Sequence, residues 1–237
     1  ASFRTFELNM EHAAADWSNI ASSATAVTPF GEFKYNINHD GSLKAARSSA
    51  SVNTPFPGYE SFVLSSNYDI TNPMRVQGQI ELISSMGNMG VRGNHRGTWK
   101  NIRSEIEVTT PFARYSRFAV NIEHAAEDFS DIKSNVQFAT PIGVYGFDLK
   151  HDGSPLSFTN IMTLTSPHTS YEKTKLTTVL NAENLYNMAF SFDIETAIGT
   201  YGTALSYTGN PRNFRTAVEV TSPHTPYNKF TGTVTFA

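Results

Sequence analysis

The sequence predicts an all-β fold: an antiparallel up-and-down meander of about 16–17 amphipathic strands. One observation behind this prediction is an internal repeat of 56 residues, which spaces Pro55, Pro111, Pro167 and Pro223 evenly along the chain. The other is that apolar and polar residues alternate within each repeat, as is typical of half-buried strands. Short connections between consecutive strands favour antiparallel neighbours, because parallel strands need long crossovers.

The repeat runs without gaps through the chain. The stretch TPFGEFKYNINHDG at 28–41 returns as TPIGVYGFDLKHDG at 140–153, so alternate copies are the more similar ones. Self-similarity at a fixed period indicates an array whose units pack on their neighbours. We therefore predict one repeat-built β domain over residues 1–237, a segment of a longer array, with repeats at 1–56, 57–112, 113–168 and 169–224 and the start of a fifth at 225–237.

Four strands are predicted in each repeat, and the first repeat shows them in order. Apolar residues alternate with polar ones over 6–12, then over 20–26, 33–39 and 46–52. The period of two places the apolar residues of each strand on one face of the sheet. The EHAAADW and EHAAEDF segments could support one short helical turn, and no longer helix is predicted.

Turns are predicted at two positions in the repeat. The Pro-x-x-x-Tyr segment, as at Pro55 to Tyr59, makes one corner. The other turn is a two-residue hairpin whose glycine should have a positive φ, because glycine has no Cβ to clash in that conformation. The predicted hairpins are Asp40-Gly41, Arg96-Gly97, Asp152-Gly153 and Thr208-Gly209.

The apolar face sets the functional question. Strand spacing and length predict an apolar face of roughly 2,500 Å², whereas soluble monomers expose only a few hundred Å² in one patch. The face must therefore curl into a barrel, fold over as a sandwich, pair with another copy or lie against lipid. The predicted residues of this lipid- or hydrophobic-ligand-binding face are Phe6, Leu8, Met10, Tyr35, Ile37, Leu64, Val76, Ile80, Leu82, Ile106, Val108, Val120, Ile122, Val136, Phe138, Phe147, Leu149, Met162, Leu164, Met188, Phe190, Phe192, Ile194, Leu205, Val218 and Val220.

Composition argues against several other functions. A net charge of -3 with 16% charged residues does not suit a nucleic-acid partner, and a chain without cysteine has no thiolate ligand or nucleophile. His39, His95 and His151 lie about 19 Å apart in a meander, too far to share a zinc ion. We predict no catalytic residue, no metal site and no cofactor other than bound lipid or another hydrophobic ligand.

The corner sequences resemble a known family. Thr28-Pro29-Phe30, Thr54-Pro55-Phe56 and Thr110-Pro111-Phe112, followed by alternating strands and a His-x-Gly turn, are similar to the amphipathic β-sheet repeats of apolipophorin and apolipoprotein B-like large lipid transfer proteins. The similarity covers nearly the whole chain, although copies three and four read SPHTSY and SPHTPY at this corner. The resemblance implies a secreted lipoprotein component whose sheet lies on, or encloses, neutral lipid and phospholipid.

The sequence therefore predicts a non-catalytic, extracellular lipid-binding segment. Its expected partners are lipid and, through the sheet edges, other copies or other segments of the same precursor. Three alternatives stay open. They are an outer-membrane-type barrel, which sixteen strands of about ten residues would suit; a barrel or oligomer that carries a pigment or fatty acid; and a structural secreted repeat protein with stacked sheets.

Overall fold

The computed structural model describes residues 6–169, 172–224 and 228–236 and confirms the predicted fold class. It is all-β, with 78% of the chain in a 17-strand antiparallel meander. Among these residues, no helix is long and apolar enough to cross a membrane. The strands are β1 Glu7–Asp16, β2 Asn19–Thr28, β3 Gly31–Gly41, β4 Ala45–Asn53, β5 Ser61–Asn72, β6 Arg75–Ser84, β7 Gly87–Thr98, β8 Asn101–Thr109, β9 Arg117–Asp128, β10 Asp131–Thr140, β11 Gly143–Ser154, β12 Ser157–Thr165, β13 Lys173–Asn184, β14 Asn187–Thr196, β15 Gly199–Asn210, β16 Asn213–Thr221 and β17 Lys229–Phe236.

Strand positions follow the period of the sequence. The second strand of each repeat begins at Asn19, Arg75, Asp131 and Asn187, which are 56 residues apart. The EHAAADW and EHAAEDF segments run through the ends of β1 and β9 rather than forming a helical turn, and a three-residue 3-10 turn, Ala113–Tyr115, lies instead in the β8–β9 connection. The alternating pattern therefore outweighs the local helix preference of the alanines.

The chain divides into two compact units. Unit 1 contains Ala1–Gly97 and Arg103–Val120, and unit 2 contains Thr98–Ile102 and Asn121–Ala237. Within unit 1, β1 to β7 pair consecutively and antiparallel. Within unit 2, β10 to β17 do the same. The described strands of neither unit close into a barrel.

The predicted hairpin positions are wrong, although the predicted backbone conformation is correct. Gly41 ends β3, and the chain reverses after it, over residues 42–44; the three equivalent glycines lie inside strands, next to turns at 99–100, 155–156 and 211–212. A Cβ on Gly153 would meet the backbone of Ser157 and Phe158 in the next strand. Close approach of the neighbouring strand therefore requires glycine here. The φ angles are 136° at Gly41, 122° at Gly97, 126° at Gly153 and 117° at Gly209.

A second column of positive-φ glycines contacts the proline column. Gly31 begins β3 with φ 128°, and a Cβ there would overlap the Pro55 side chain. The glycine at one strand start thus accommodates the proline of the next corner, 24 residues later. The same pair recurs as Gly87 with Pro111, Gly143 with Pro167 and Gly199 with Pro223.

Side-chain hydroxyls hold the proline corners together. In the β4–β5 connection, the Thr54 hydroxyl donates to the Tyr59 carbonyl at 2.6 Å, and the Thr54 amide donates to the Glu60 carbonyl at 3.0 Å. The Thr110 hydroxyl makes the corresponding bond to the Tyr115 carbonyl at 2.6 Å. These bonds satisfy backbone groups that the ladder leaves free at the corner.

Candidate functional site

The predicted apolar residues share one face within each unit. In unit 1 the register places Leu64 opposite both Ala50 and Leu82. In unit 2 it places Leu149 opposite Met162, and Met162 opposite Leu176. Because directly opposed side chains point to the same side of a sheet, the predicted residues of the registered strands form one apolar face in unit 1 and another in unit 2.

Side-chain hydrogen bonds show which residues of β8 and β9 lie on the apolar face. The His95 Nδ1 atom lies 2.7 Å from the Ser104 hydroxyl, so Ser104 shares the apolar face of β7, and Ile106 lies two residues further along the same side of β8. In unit 2 the His124 Nδ1 atom lies 2.8 Å from the Ser134 hydroxyl of β10. Ile122, Val108 and Val120 follow the same parity along their strands, while Phe6 directly precedes β1.

The apolar face is largely uncovered. Met10 is 73% exposed and Ile80 is 56% exposed, and Leu8, Leu64, Ile106 and Phe138 are also exposed. The buried hydrophobic residues are three alanines, and no side chain of the described residues is fully buried. The described strands of each unit therefore lack the second layer that normally completes a core.

Hairpin tips add a second set of exposed apolar residues, which lie outside the predicted binding face. Trp17, at the β1–β2 turn, is 90% exposed. In unit 2, the Trp99 and Phe129 rings stack with centroids 6.5 Å apart, and the Lys100 Nζ atom lies 5.3 Å from the Trp99 ring centroid. Each of these residues sits between a strand end and a strand start, which is the signal that could have identified them. The other strongly exposed tips are Phe30, Leu43, Met74, Met86, Ile142, Leu156, Leu185 and Ile198.

The opposite face of each unit is polar. In unit 2 a depression on this face is lined mainly by small residues such as Ala189, Ala204 and Ala217. In unit 1, neighbouring depressions contain Gln79, Arg92 and other polar side chains. These depressions therefore open on the polar face rather than on the predicted binding face.

A buried carboxylate is the strongest electrostatic feature of the polar face in unit 1. Glu107 is only 7% exposed, and its carboxylate pairs with the guanidinium groups of Arg92 and Arg117, the latter at 2.5 Å. The hydrogen bond from Arg117 holds the pKa of Glu107 below its ordinary value. Two cations thus compensate the desolvation of one anion, which makes this cluster a structural anchor between strands.

Acidic residues at the turns have lowered pKa values for a local reason. The Ser18 hydroxyl and amide both donate to the Asp16 carboxylate, at 2.5 and 2.7 Å, and they lower the pKa of Asp16. Ser130 does the same for Asp128. Because these carboxylates bond to the next residues of their own turn, their shifted pKa values reflect turn formation rather than catalysis.

Five histidines of the apolar face bond to a polar side chain on the next strand. Taken within each unit separately, we call these contacts the imidazole row of that unit. They could be confused with Ser-His dyads, but Asp, Glu, Lys and Arg are absent from this face in the registered strand pairs, so no described carboxylate there can orient an imidazole. The Nδ1 contacts are His12 with Ser22 at 2.6 Å, His39 with Ser48 at 2.7 Å and His95 with Ser104 at 2.7 Å in unit 1, and His124 with Ser134 at 2.8 Å and His151 with Asn160 at 2.6 Å in unit 2.

The remaining histidines lie at proline corners. The Tyr145 hydroxyl and the His168 Nε2 atom are 3.2 Å apart, and Tyr201 and His224 form the same pair at 3.1 Å. The equivalent contact in the first repeat is an edge-to-face pair of two phenylalanine rings. Within the described residues, no group of three or more His, Cys, Asp or Glu side chains is arranged to hold a metal ion.

Comparisons of the chain with protein-family models, with curated proteins and with solved structures found no match. The resemblance of the corner sequences to lipoprotein β-sheet repeats therefore stays a prediction from the sequence.

Proposed function

We propose that this chain is a non-catalytic lipid-binding protein whose apolar sheet face covers or encloses lipid, as a segment of a secreted lipoprotein. The uncovered apolar face is the observation that carries the proposal, since Met10, Ile80 and their neighbours have no protein layer over them. Burial of such a face against hydrocarbon yields about 25 cal/mol per Å² of apolar surface. The corner sequences that resemble lipoprotein repeats support the same function.

An extended lipid phase fits the surface better than one small molecule. Small-molecule sites are concave and enclose most of their ligand, and the depressions described above lie on the polar face of their units. The exposed apolar tips, such as Trp17 and Phe30, lie at the strand ends. Aromatic and aliphatic side chains at these positions suit the boundary between lipid and water.

Flotation with neutral phosphatidylcholine vesicles tests the proposal. Phe192 lies on the apolar face opposite Thr178 and Thr203, whereas Asp193, the next residue, lies on the polar face opposite Thr177. Phe192→Asp should reduce the vesicle-bound fraction about tenfold or more, because it removes an apolar contact and adds a charge. Asp193→Lys should bind as the unchanged chain does.

Circular dichroism of both variants controls for loss of the sheet. The proposal fails if the unchanged chain remains in the dense fraction with excess vesicles. It also fails if the two folded variants lose binding equally, because burial would then not distinguish the two faces. Mass spectrometry of organic extracts adds a direct measurement, since a lipoprotein segment should carry several lipid classes.

A further inference from the structure

The apolar face changes character along its strands. In β3, the imidazole of His39 lies near the end marked by Gly41, and Ile37, Tyr35 and Phe33 follow on the same face toward the other end. In β11, His151 is followed in the same way by Leu149, Phe147 and Tyr145. Six residues of strand span about 20 Å. Each of these two histidines therefore stands at the head of an apolar column of this length.

The groups that face the imidazoles are uncharged. His39 lies opposite Ile20 on β2 and Ser48 on β4. His151 lies opposite Ile132 on β10 and Asn160 on β12, and its ring lies beside Phe158.

The other histidines have similar neighbours. His95 lies opposite Val76 on β6 and bonds to Ser104 on β8, while His12 and His124 face serines on β2 and β10. Since the registered strand pairs carry no Lys or Arg on this face, imidazole is the basic side chain that they present there.

We propose that the imidazole row binds the carboxylate headgroups of long-chain fatty acids, whose hydrocarbon chains lie along the apolar columns. This inference rests on the proposed lipid-binding function. Nδ1 of each histidine is engaged by the neighbouring strand, so Nε2 is the nitrogen that remains for a ligand. An anion is favoured because protonated imidazole is its cationic partner and no acidic side chain of the registered pairs shares the face.

Competition between dodecanoate and dodecanol against an apolar fluorescent dye tests the headgroup. The two ligands have the same chain, and dodecanoate stays ionised well above the ordinary carboxyl pKa of about 4–5. The ratio of dodecanoate to dodecanol affinity should rise about threefold between pH of about 8 and about 6, because protonated imidazole is the cationic partner of a carboxylate. The effect is modest because the histidines are partly exposed, so water screens their charge.

Matched variants locate the effect on one face. Replacing His39, His95, His124 and His151 together by Gln should remove most of the rise with falling pH, since His12 is the member of the row that remains, and should leave dodecanol binding within about twofold. Replacing Lys34, Lys133, Lys150 and Lys175 by Gln removes four cations from the polar face and should preserve the rise. If the fourfold histidine variant fails to fold by circular dichroism, His151→Gln against Lys150→Gln gives the same comparison with a smaller change.

The outcomes separate the two proposals. If neither ligand displaces the dye while the chain still floats with phosphatidylcholine vesicles, lipid binding stands and the fatty-acid inference is overturned. If the chain also fails to float, both proposals fall. If both ligands bind with a ratio that is independent of pH, or if the histidine variant keeps the rise, lipid binding stands and the fatty-acid inference is overturned. Stronger binding of dodecyl phosphate than of dodecanoate would likewise overturn it, since the row would then recognise a phosphate headgroup.

Discussion

Replacing Ile80 by serine should weaken binding to neutral phosphatidylcholine vesicles, whereas Gln79→Ser should not. The two residues are adjacent on β6 and point to opposite faces, Ile80 opposite Ser66 and Val91, Gln79 opposite Asn67 and Arg92. Complete burial of an isoleucine side chain contributes about 1.5–3 kcal/mol. Since Ile80 is 56% exposed in the uncovered sheet, contact with lipid would add about half of this, or about 0.8–1.7 kcal/mol.

This free energy corresponds to a fourfold to fifteenfold weaker partition coefficient for Ile80→Ser, at about 1.4 kcal/mol per factor of ten. Titration with vesicles, followed by sedimentation or flotation, measures the coefficient directly. Introducing the same residue at both positions cancels the effect of serine on strand propensity to a first approximation. A Gln79→Ser loss as large as that of Ile80→Ser, or unchanged binding of Ile80→Ser, would refute the assignment of the lipid-facing side.

Three further predictions concern the glycine column, the buried carboxylate and the hairpin tips. Gly153→Ala should lower the free energy of unfolding by about 1–2 kcal/mol or more in denaturant titrations, because φ at Gly153 is 126° and the added methyl group would meet the next strand. The control is Gly93→Ala, whose added Cβ has no close neighbour; it should change the free energy of unfolding by at most about 0.5 kcal/mol. Because the pKa of Glu107 is lowered by folding, its ion pairs stabilise unit 1 fully above the ordinary pKa of 4.5 and progressively less as pH falls through the folded pKa. Glu107→Gln should therefore reduce the loss of unfolding free energy at acid pH. An unchanged loss at acid pH would contradict the ion-pair assignment. Trp17→Phe should remove part of the blue shift in tryptophan fluorescence on vesicle binding, and a shift carried entirely by Trp99 would show that the β1–β2 tip stays in water.

The alternation of apolar and polar residues was sufficient to predict the strands and the apolar face, because successive side chains of a strand point to opposite faces of the sheet. The hairpins were misplaced because the rule linking Asp-Gly pairs to two-residue turns is local. The requirement for glycine at Gly153 comes instead from the backbone of Ser157, a neighbour that is known only once the strands are paired. The contact of Gly31 with Pro55 was unpredictable for the same reason.

Polar contacts on the candidate face were the part that sequence reasoning missed. The histidines of the third strand in the first three repeats were interpreted as turn residues, although His39 lies within β3 and bonds to Ser48 of β4. Recognising that bond needs the register between the two strands, which the repeat alone does not specify. The burial of Glu107 was hidden in the same way, because Arg92 and Arg117 lie on other strands than Glu107 itself.

Pairing of each strand with its sequence neighbours has a consequence for how the protein is made. In the registered pairs, partners are at most 24 residues apart, so the relative contact order is roughly 0.05, which is below the range of fast-folding helical bundles. Each new strand needs only the preceding strand as a template for its backbone hydrogen bonds. The sheet can therefore grow strand by strand as the chain leaves the ribosome, and each newly added strand completes its pairing before the next is synthesised.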